Sequence, residues 1–172
     1  MPNLLSLFRL LLLPVIVWLY CVEQSYADAI VVLVVSGVTD IVDGFIARKF
    51  NMVSDLGKIL DPVADKLTQG VLLICLAIKY KIIIALVVVF ALKEYAMITL
   101  GYMAIKRKDS VNSAKWYGKL NTVIIYSTIV LLIMFPQIPV SVVNILCAVC
   151  IVMIVASFVM YARFYQKILK KS

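Results

Sequence analysis

Long apolar stretches separated by short polar breaks run along the whole chain. A helix needs about 20 mostly apolar residues to cross the hydrocarbon core of a bilayer. The sequence predicts six such helices, over Leu4–Val22, Tyr26–Phe50, Gly57–Lys79, Ile82–Ile105, Gly118–Phe135 and Pro139–Tyr165. The pattern therefore predicts an all-α integral membrane protein of six transmembrane helices, in which residues 1–172 form a single domain.

Composition supports this interpretation. Hydrophobic residues make up 65% of the chain, charged residues make up 15%, and the mean hydropathy is +1.08. A soluble domain has too little polar surface to cover so many apolar side chains. The net charge of +8 would suit nucleic-acid binding, but the basic residues interrupt apolar runs instead of clustering on a polar surface. We therefore expect a membrane protein with no nucleic-acid partner.

The basic residues also predict the orientation in the membrane. Lys and Arg accumulate in cytoplasmic loops, so a strong asymmetry between alternate loops indicates which side is inside. One side receives only Lys79 and Lys81, whereas the other receives twelve basic residues: Arg48, Lys49, Lys58, Lys106, Arg107, Lys108, Lys115, Lys119, Arg163, Lys167, Lys170 and Lys171. We expect both termini and the charged parts of the second, third and fourth helices to face the cytoplasm, in the cell membrane.

Acidic residues are concentrated where the second and third predicted helices meet. One face of the second helix carries Asp40, Asp43, Gly44 and Ala47, and one face of the third helix carries Gly57, Asp61 and Asp65. Both faces lie near the predicted cytoplasmic end of antiparallel neighbours, so they can converge on one site. Ionisable groups in membrane helices are costly and usually functional.

Four carboxylates in one place repel each other, and a divalent cation resolves the repulsion. Oxygen ligands in a chain without histidine favour Mg²⁺ or Mn²⁺, which in turn bind phosphates.

Written in full, the segment is Asp40-x2-Asp43-Gly44-x2-Ala47-Arg48-x8-Gly57-x3-Asp61-x3-Asp65. This pattern resembles the motif of the CDP-alcohol phosphotransferases at all eight fixed positions. The resemblance implies a metal site of Asp40, Asp43, Asp61 and Asp65, in which Asp65 is also the general base. It further implies contacts to the CDP moiety from Asp40, Gly44, Ala47, Arg48 and Gly57.

Other segments resemble the phosphatidylglycerophosphate synthase branch of that family. They are Asn3-x2-Ser6-x2-Arg9 and Asp61-Pro62-Val63-Ala64-Asp65-Lys66-Leu67. The resemblance implies transfer of a phosphatidyl group from CDP-diacylglycerol to glycerol 3-phosphate, with release of CMP. Lys93, Arg107 and Lys119 are the candidates for binding the acceptor phosphate, and Asn3 and Arg9 are weaker candidates for the site.

Two alternatives remain open from the sequence. The same chemistry could use another acceptor, such as phosphatidylglycerol, serine or inositol phosphate, and Trp116-Tyr117-Gly118-Lys119 resembles cardiolipin synthases. A small cation transporter is a remote alternative. Transporters usually place ion-binding carboxylates near the midplane and show two related halves. Here the aspartates lie at the predicted cytoplasmic ends of the helices, and no halves repeat. The family resemblance also implies a homodimer.

Overall fold

The chain is helical almost throughout. The computed structural model describes residues 2–49, 55–107 and 116–170, with side chains described for 8–39, 42, 62–103 and 116–166. Six helices and no strand occur in these ranges: α1 (Pro2–Cys21), α2 (Tyr26–Lys49), α3 (Asp55–Lys79), α4 (Ile83–Arg107), α5 (Trp116–Met134) and α6 (Val140–Lys170). The predicted all-helical fold is confirmed over the described residues.

Helices α4, α5 and α6 carry segments that are long and apolar enough to cross a bilayer. These segments are Ile83–Met103, Trp116–Met134 and Val140–Gln166. Within the described residues, α1 and α2 contribute the shorter apolar stretches Phe8–Cys21 and Tyr26–Thr39. Large apolar side chains such as Leu92 and Ile98 are exposed, and lipid rather than water is the solvent that suits them. The protein is therefore a multi-pass membrane protein.

The Cα positions group into two compact units, which we describe separately. The first unit contains residues 1–79 and 129–137. Here α1 packs against both α2 and α3. The buried stripe of α1 follows helical steps of three and four through Leu13, Ile16 and Tyr20. Their partners in the core of this unit include fully buried leucines and isoleucines of α3 and of the end of α5: Leu72, Leu73, Leu76, Ile129, Leu132 and Ile133.

A single ammonium group joins three distant segments of this first unit. Lys79 Nζ, at the end of α3, donates a hydrogen bond to the Pro136 carbonyl at 2.8 Å. The same atom lies 5.1 Å from the ring centroid of Tyr26, the first residue of α2, in a cation–π contact. The Tyr26 ring in turn meets Tyr20 of α1 edge to face. The ends of α1, α2 and α3 and the turn after α5 are thereby held together.

The second unit contains residues 80–128 and 138–172, and in it α4 packs against α6. Tyr161 and Tyr165 of α6 are buried against Met97 and Leu100 of α4 and against Tyr117 of α5. Gly118 of α5 leaves room for Tyr161, because a Cβ added at this position would overlap the Tyr161 hydroxyl oxygen unless that ring shifted. Thr128 Oγ1 and Cys150 Sγ also meet across α5 and α6, at 3.3 Å.

Candidate active site

The first half of the acidic motif lies on the second half of α2, beyond the buried residues of that helix. Ala29, Leu33 and Ser36 are buried, and they are separated by helical steps of four and three. The next steps of the same series reach positions 40, 43 and 47. The backbone of α2 is helical through Lys49, so the predicted sharing of one face holds for the backbone. The side chains of Asp40, Asp43, Ala47 and Arg48, and the surroundings of Gly44, lie outside the described residues.

The second half of the motif occupies the first three turns of α3. This helix begins at Asp55, so positions 57, 61 and 65 follow one another at steps of four on a continuous helix. Each step advances about 6 Å along the axis. The surroundings of Gly57 and the side chain of Asp61 lie outside the described residues, whereas the side chain of Asp65 is described.

Asp65 is paired with a buried arginine of α1. Arg9 Nη1 lies 3.7 Å from Asp65 Oδ1, which is ion-pair distance but longer than a direct hydrogen bond. Arg9 is only 7% exposed, and it extends the buried stripe of Leu13, Ile16 and Tyr20 by one further helical step. Asp65 is less deeply placed, with 28% of its side chain exposed. The carboxylate is therefore paired with a buried cation and remains partly accessible.

Gln69 extends the polar face of α3 one turn beyond Asp65. It is fully buried, and Lys66 Nζ donates to its Oε1 at 3.4 Å. Because an ammonium group can only donate, the amide oxygen must face Lys66. The amide nitrogen is then buried without a hydrogen-bond partner among the described residues. Sequence reasoning missed this residue, although the series 57, 61, 65 continues at 69 and could have indicated it.

The candidate cations for an acceptor phosphate occupy different places. Lys93 is buried in the membrane segment of α4, and its Nζ donates to Glu94 Oε1 at 2.7 Å. Arg107 is the last residue of α4, about 21 Å further along the helix axis. Lys119 is exposed in the first turn of α5. The side chains of Arg107 and of Asn3, in the first turn of α1, lie outside the described residues.

The chain matches one known protein family over most of its length. The sequence profile of the CDP-alcohol phosphatidyltransferases matches residues 1–162, which is most of the chain and includes parts of both compact units. The chain belongs to the CDP-alcohol phosphatidyltransferase family. The resemblance seen in the acidic motif is confirmed at the level of the family.

Individual relatives of this CDP-alcohol phosphatidyltransferase point to two named activities. A cardiolipin synthase (CMP-forming)/mitochondrial hydrolase fusion protein of Schizosaccharomyces pombe is 48% identical over 79 residues, or 46% of this chain and 13% of that protein. A CDP-diacylglycerol–glycerol-3-phosphate 3-phosphatidyltransferase of Rickettsia typhi is 41% identical over 78 residues, or 44% of each chain. One of the same name from Aquifex aeolicus is 36% identical over 126 residues, covering 72% of this chain and 70% of the relative. The chain thus spans less than half the length of the first two relatives.

Of the four predicted metal ligands, Asp65 is the one whose side chain is described. Asp65 offers carboxylate oxygen, a ligand type that Mg²⁺ and Mn²⁺ prefer, and its partial exposure leaves it within reach of a bound ion. Among the described side chains, no group of three or more His, Cys, Asp or Glu residues comes together. Asp40, Asp43 and Asp61 are not among those side chains, so the four-carboxylate site stays a prediction.

Proposed function

We propose that the protein transfers a phosphatidyl group from CDP-diacylglycerol to glycerol 3-phosphate and releases CMP. The observation that carries this proposal is the placement of a partly exposed Asp65, paired with a buried Arg9, on the helix that completes the eight-residue family motif. The relatives from Rickettsia typhi and Aquifex aeolicus bear the name of this activity.

In the proposed reaction, Asp65 accepts the proton of the attacking acceptor hydroxyl. The hydroxyl oxygen forms a bond to the phosphorus that carries the diacylglycerol, and the bond from that phosphorus to the CMP oxygen breaks. CMP leaves as an anion, and Asp65 later loses its proton to solvent. Asp40, Asp43, Asp61 and Asp65 would hold Mg²⁺ or Mn²⁺, which supplies countercharge for the pyrophosphate. Gly44, Ala47, Arg48 and Gly57, with Asp40, would contact the CDP moiety.

An assay with several acceptors tests this proposal. Purified protein in detergent is incubated with CDP-diacylglycerol and, separately, with glycerol 3-phosphate, phosphatidylglycerol, serine or inositol phosphate. We expect CMP release and phosphatidylglycerophosphate formation in equal amounts with glycerol 3-phosphate only. Absence of CMP release with every acceptor would contradict the transferase function itself.

Transfer to phosphatidylglycerol, as in cardiolipin synthesis, is the second candidate. It is supported by the identity to the Schizosaccharomyces pombe fusion protein over 79 residues. In the same assay, a diphosphatidyl product formed from phosphatidylglycerol, with no reaction of glycerol 3-phosphate, would select this candidate. Membership of a transferase family argues against the cation-transporter alternative.

We also propose that both ends of the chain and the acidic motif face the cytoplasm, as the distribution of Lys and Arg predicts. Cys21, Cys75, Cys147 and Cys150 can be replaced, and single cysteines can then be introduced at Ser113 and Ser141. An impermeant thiol reagent added to intact cells should label position 141 but not 113. The reverse pattern would overturn the orientation. The homodimer implied by the family can be tested by light scattering of the purified protein.

A further inference from the structure

Arg9 is an unusual member of the buried stripe of α1. The other members, Leu13, Ile16 and Tyr20, pack apolar or aromatic surface against neighbouring helices, whereas Arg9 brings a guanidinium to the same side. Charged groups inside membrane proteins are costly and are usually retained for function. The position of Arg9 therefore calls for an explanation beyond packing.

Its ion pair crosses from one helix to another. Arg9 lies on α1 and Asp65 on α3, and the two helices pack against each other in the same compact unit. The neighbouring cation Lys66 follows Asp65 in sequence, but its Nζ contacts Gln69 Oε1 further along α3. The 3.7 Å pair thus couples the orientation of the Asp65 carboxylate to the position of α1.

Burial separates the roles of the two partners. Only 8% of the Arg9 side chain is exposed, compared with 28% of the Asp65 side chain. The carboxylate is therefore the more accessible partner of the pair, and the guanidinium is the more buried one. Arg9 can therefore affect the reaction through Asp65 without touching the substrate itself.

We propose that Arg9 is a positioning residue for Asp65, which orients the carboxylate for proton transfer from the acceptor hydroxyl. This proposal rests on the transferase function proposed above. A general base must lie within hydrogen-bond reach of the proton that it takes, and small displacements of a reacting group slow the reaction strongly. A charge placed against Oδ1 restricts rotation of the carboxylate and favours one orientation.

The kinetic test uses Arg9→Gln and Arg9→Lys. We expect Arg9→Gln to lower kcat about 10- to 100-fold, because a small misplacement of a reacting group can slow a reaction by up to about 100-fold, with each KM changed by less than about threefold. Arg9→Lys should recover about half of that loss on a logarithmic scale, because it keeps the charge but loses the planar fork. Arg163→Gln, an exposed arginine of α6, is the matched control and should leave kcat unchanged.

A double-mutant cycle with Asp65→Asn separates positioning from general damage to the fold. When the carboxylate is already absent, Arg9→Gln should change the residual turnover by less than about twofold. The melting temperatures give a readout that does not depend on activity. Asp65→Asn leaves a buried cation without its carboxylate, so we expect the double variant to melt higher than Asp65→Asn alone.

Three results with the Arg9 and Asp65 variants would each overturn the inference. They are wild-type kcat in Arg9→Gln, the same loss of turnover whether or not Asp65 is present, and additive melting temperatures. An equal loss of kcat in Lys66→Gln would also overturn it, because the effect would then be one of local charge. A wild-type protein that releases no CMP with any acceptor would overturn the transferase function and with it the positioning role. The melting-temperature cycle would still report on the ion pair in that case.

Discussion

Each of the two compact units pairs a buried cation with a less buried carboxylate, and the two pairs are built differently. In the first unit, Arg9 and Asp65 belong to different helices and join α1 to α3. In the second unit, Lys93 and Glu94 are consecutive residues of α4, joined at 2.7 Å. A pair between neighbours in sequence neutralises a buried charge locally but fixes no helix against another. A charged pair that crosses helices and includes a motif residue is therefore a stronger indication of a role in the site than burial of a charge alone.

The largest expected effect is the loss of the divalent cation. If the carboxylates of the first unit bind Mg²⁺ or Mn²⁺, excess chelator should abolish turnover, because the pyrophosphate loses its countercharge. Turnover is followed by CMP release, and added Mg²⁺ or Mn²⁺ should restore it. Full turnover in chelator, with metal removal verified by elemental analysis, would contradict the metal role of Asp40, Asp43 and Asp61.

Asp65→Asn is expected to have the next largest effect. Removal of a general base typically costs about 10²- to 10⁴-fold in rate, so kcat should fall by that factor while binding of CDP-diacylglycerol is largely retained. Asp28→Asn changes an exposed carboxylate at the start of α2 and is the matched control. Normal turnover by Asp65→Asn would mean that another residue is the base.

The next effect concerns two candidate residues for binding the acceptor phosphate, Arg107 and Lys119, which belong to the second unit. Replacing Lys119 or Arg107 by Ala should raise KM for glycerol 3-phosphate about ten- to a hundredfold, since each charge-assisted contact contributes roughly 1.5–3 kcal/mol. KM for CDP-diacylglycerol should change less. Lys81→Ala, an exposed lysine in the turn before α4, is the control. Unchanged glycerol 3-phosphate kinetics in both variants would remove these two residues from the site.

The same substitution at two glycines should have opposite effects on stability. Gly118→Ala places a Cβ against the Tyr161 hydroxyl oxygen, closer than van der Waals contact, and such overpacking typically costs about 1–3 kcal/mol. Gly37 of α2 has no atom within 4 Å of an added Cβ, so Gly37→Ala should stabilise the helix by roughly 0.5–1 kcal/mol. Melting temperatures in detergent measure both. A stable Gly118→Ala variant would show that Tyr161 can move away at little cost.

The smallest effect is expected at Asn121 of α5. Both polar atoms of its side-chain amide are buried and lack hydrogen-bond partners within the part of the chain that the structure describes. Replacing an unsatisfied buried polar group by an apolar side chain of similar size is nearly neutral or stabilising. Asn121→Leu should therefore change the melting temperature little or raise it. A marked decrease would show that the amide has a polar partner in the membrane.

Hydropathy was sufficient to predict the helices but not all of their ends. The predicted sixth helix ends at Tyr165, where the apolar run ends, whereas α6 continues to Lys170. Lys, Gln and Leu are good helix formers, so the backbone continues after the apolar signal has ended. Helix α5 begins at Trp116, two residues before the predicted start. The helices thus extend beyond the apolar segments from which they were predicted.

For the site, local spacing was predictable and tertiary pairing was not. Steps of three and four along α2 and α3 follow from the sequence, and the helices described here carry them. Arg9 could be named only as a weak candidate, because its proximity to Asp65 depends on the packing of α1 against α3. Whether Asp40, Asp43 and Asp61 meet Asp65 stays a prediction.

The contact between Lys79 and Pro136 also constrains the order of assembly. The chain is synthesised from its N-terminus, and the carbonyl that accepts the Lys79 hydrogen bond lies 57 residues later in sequence. When α3 leaves the ribosome, the Lys79 ammonium at its end can already contact the Tyr26 ring. The Pro136 carbonyl that accepts its hydrogen bond has not yet been synthesised. The first three helices therefore complete this junction only after α4 and α5 have been synthesised.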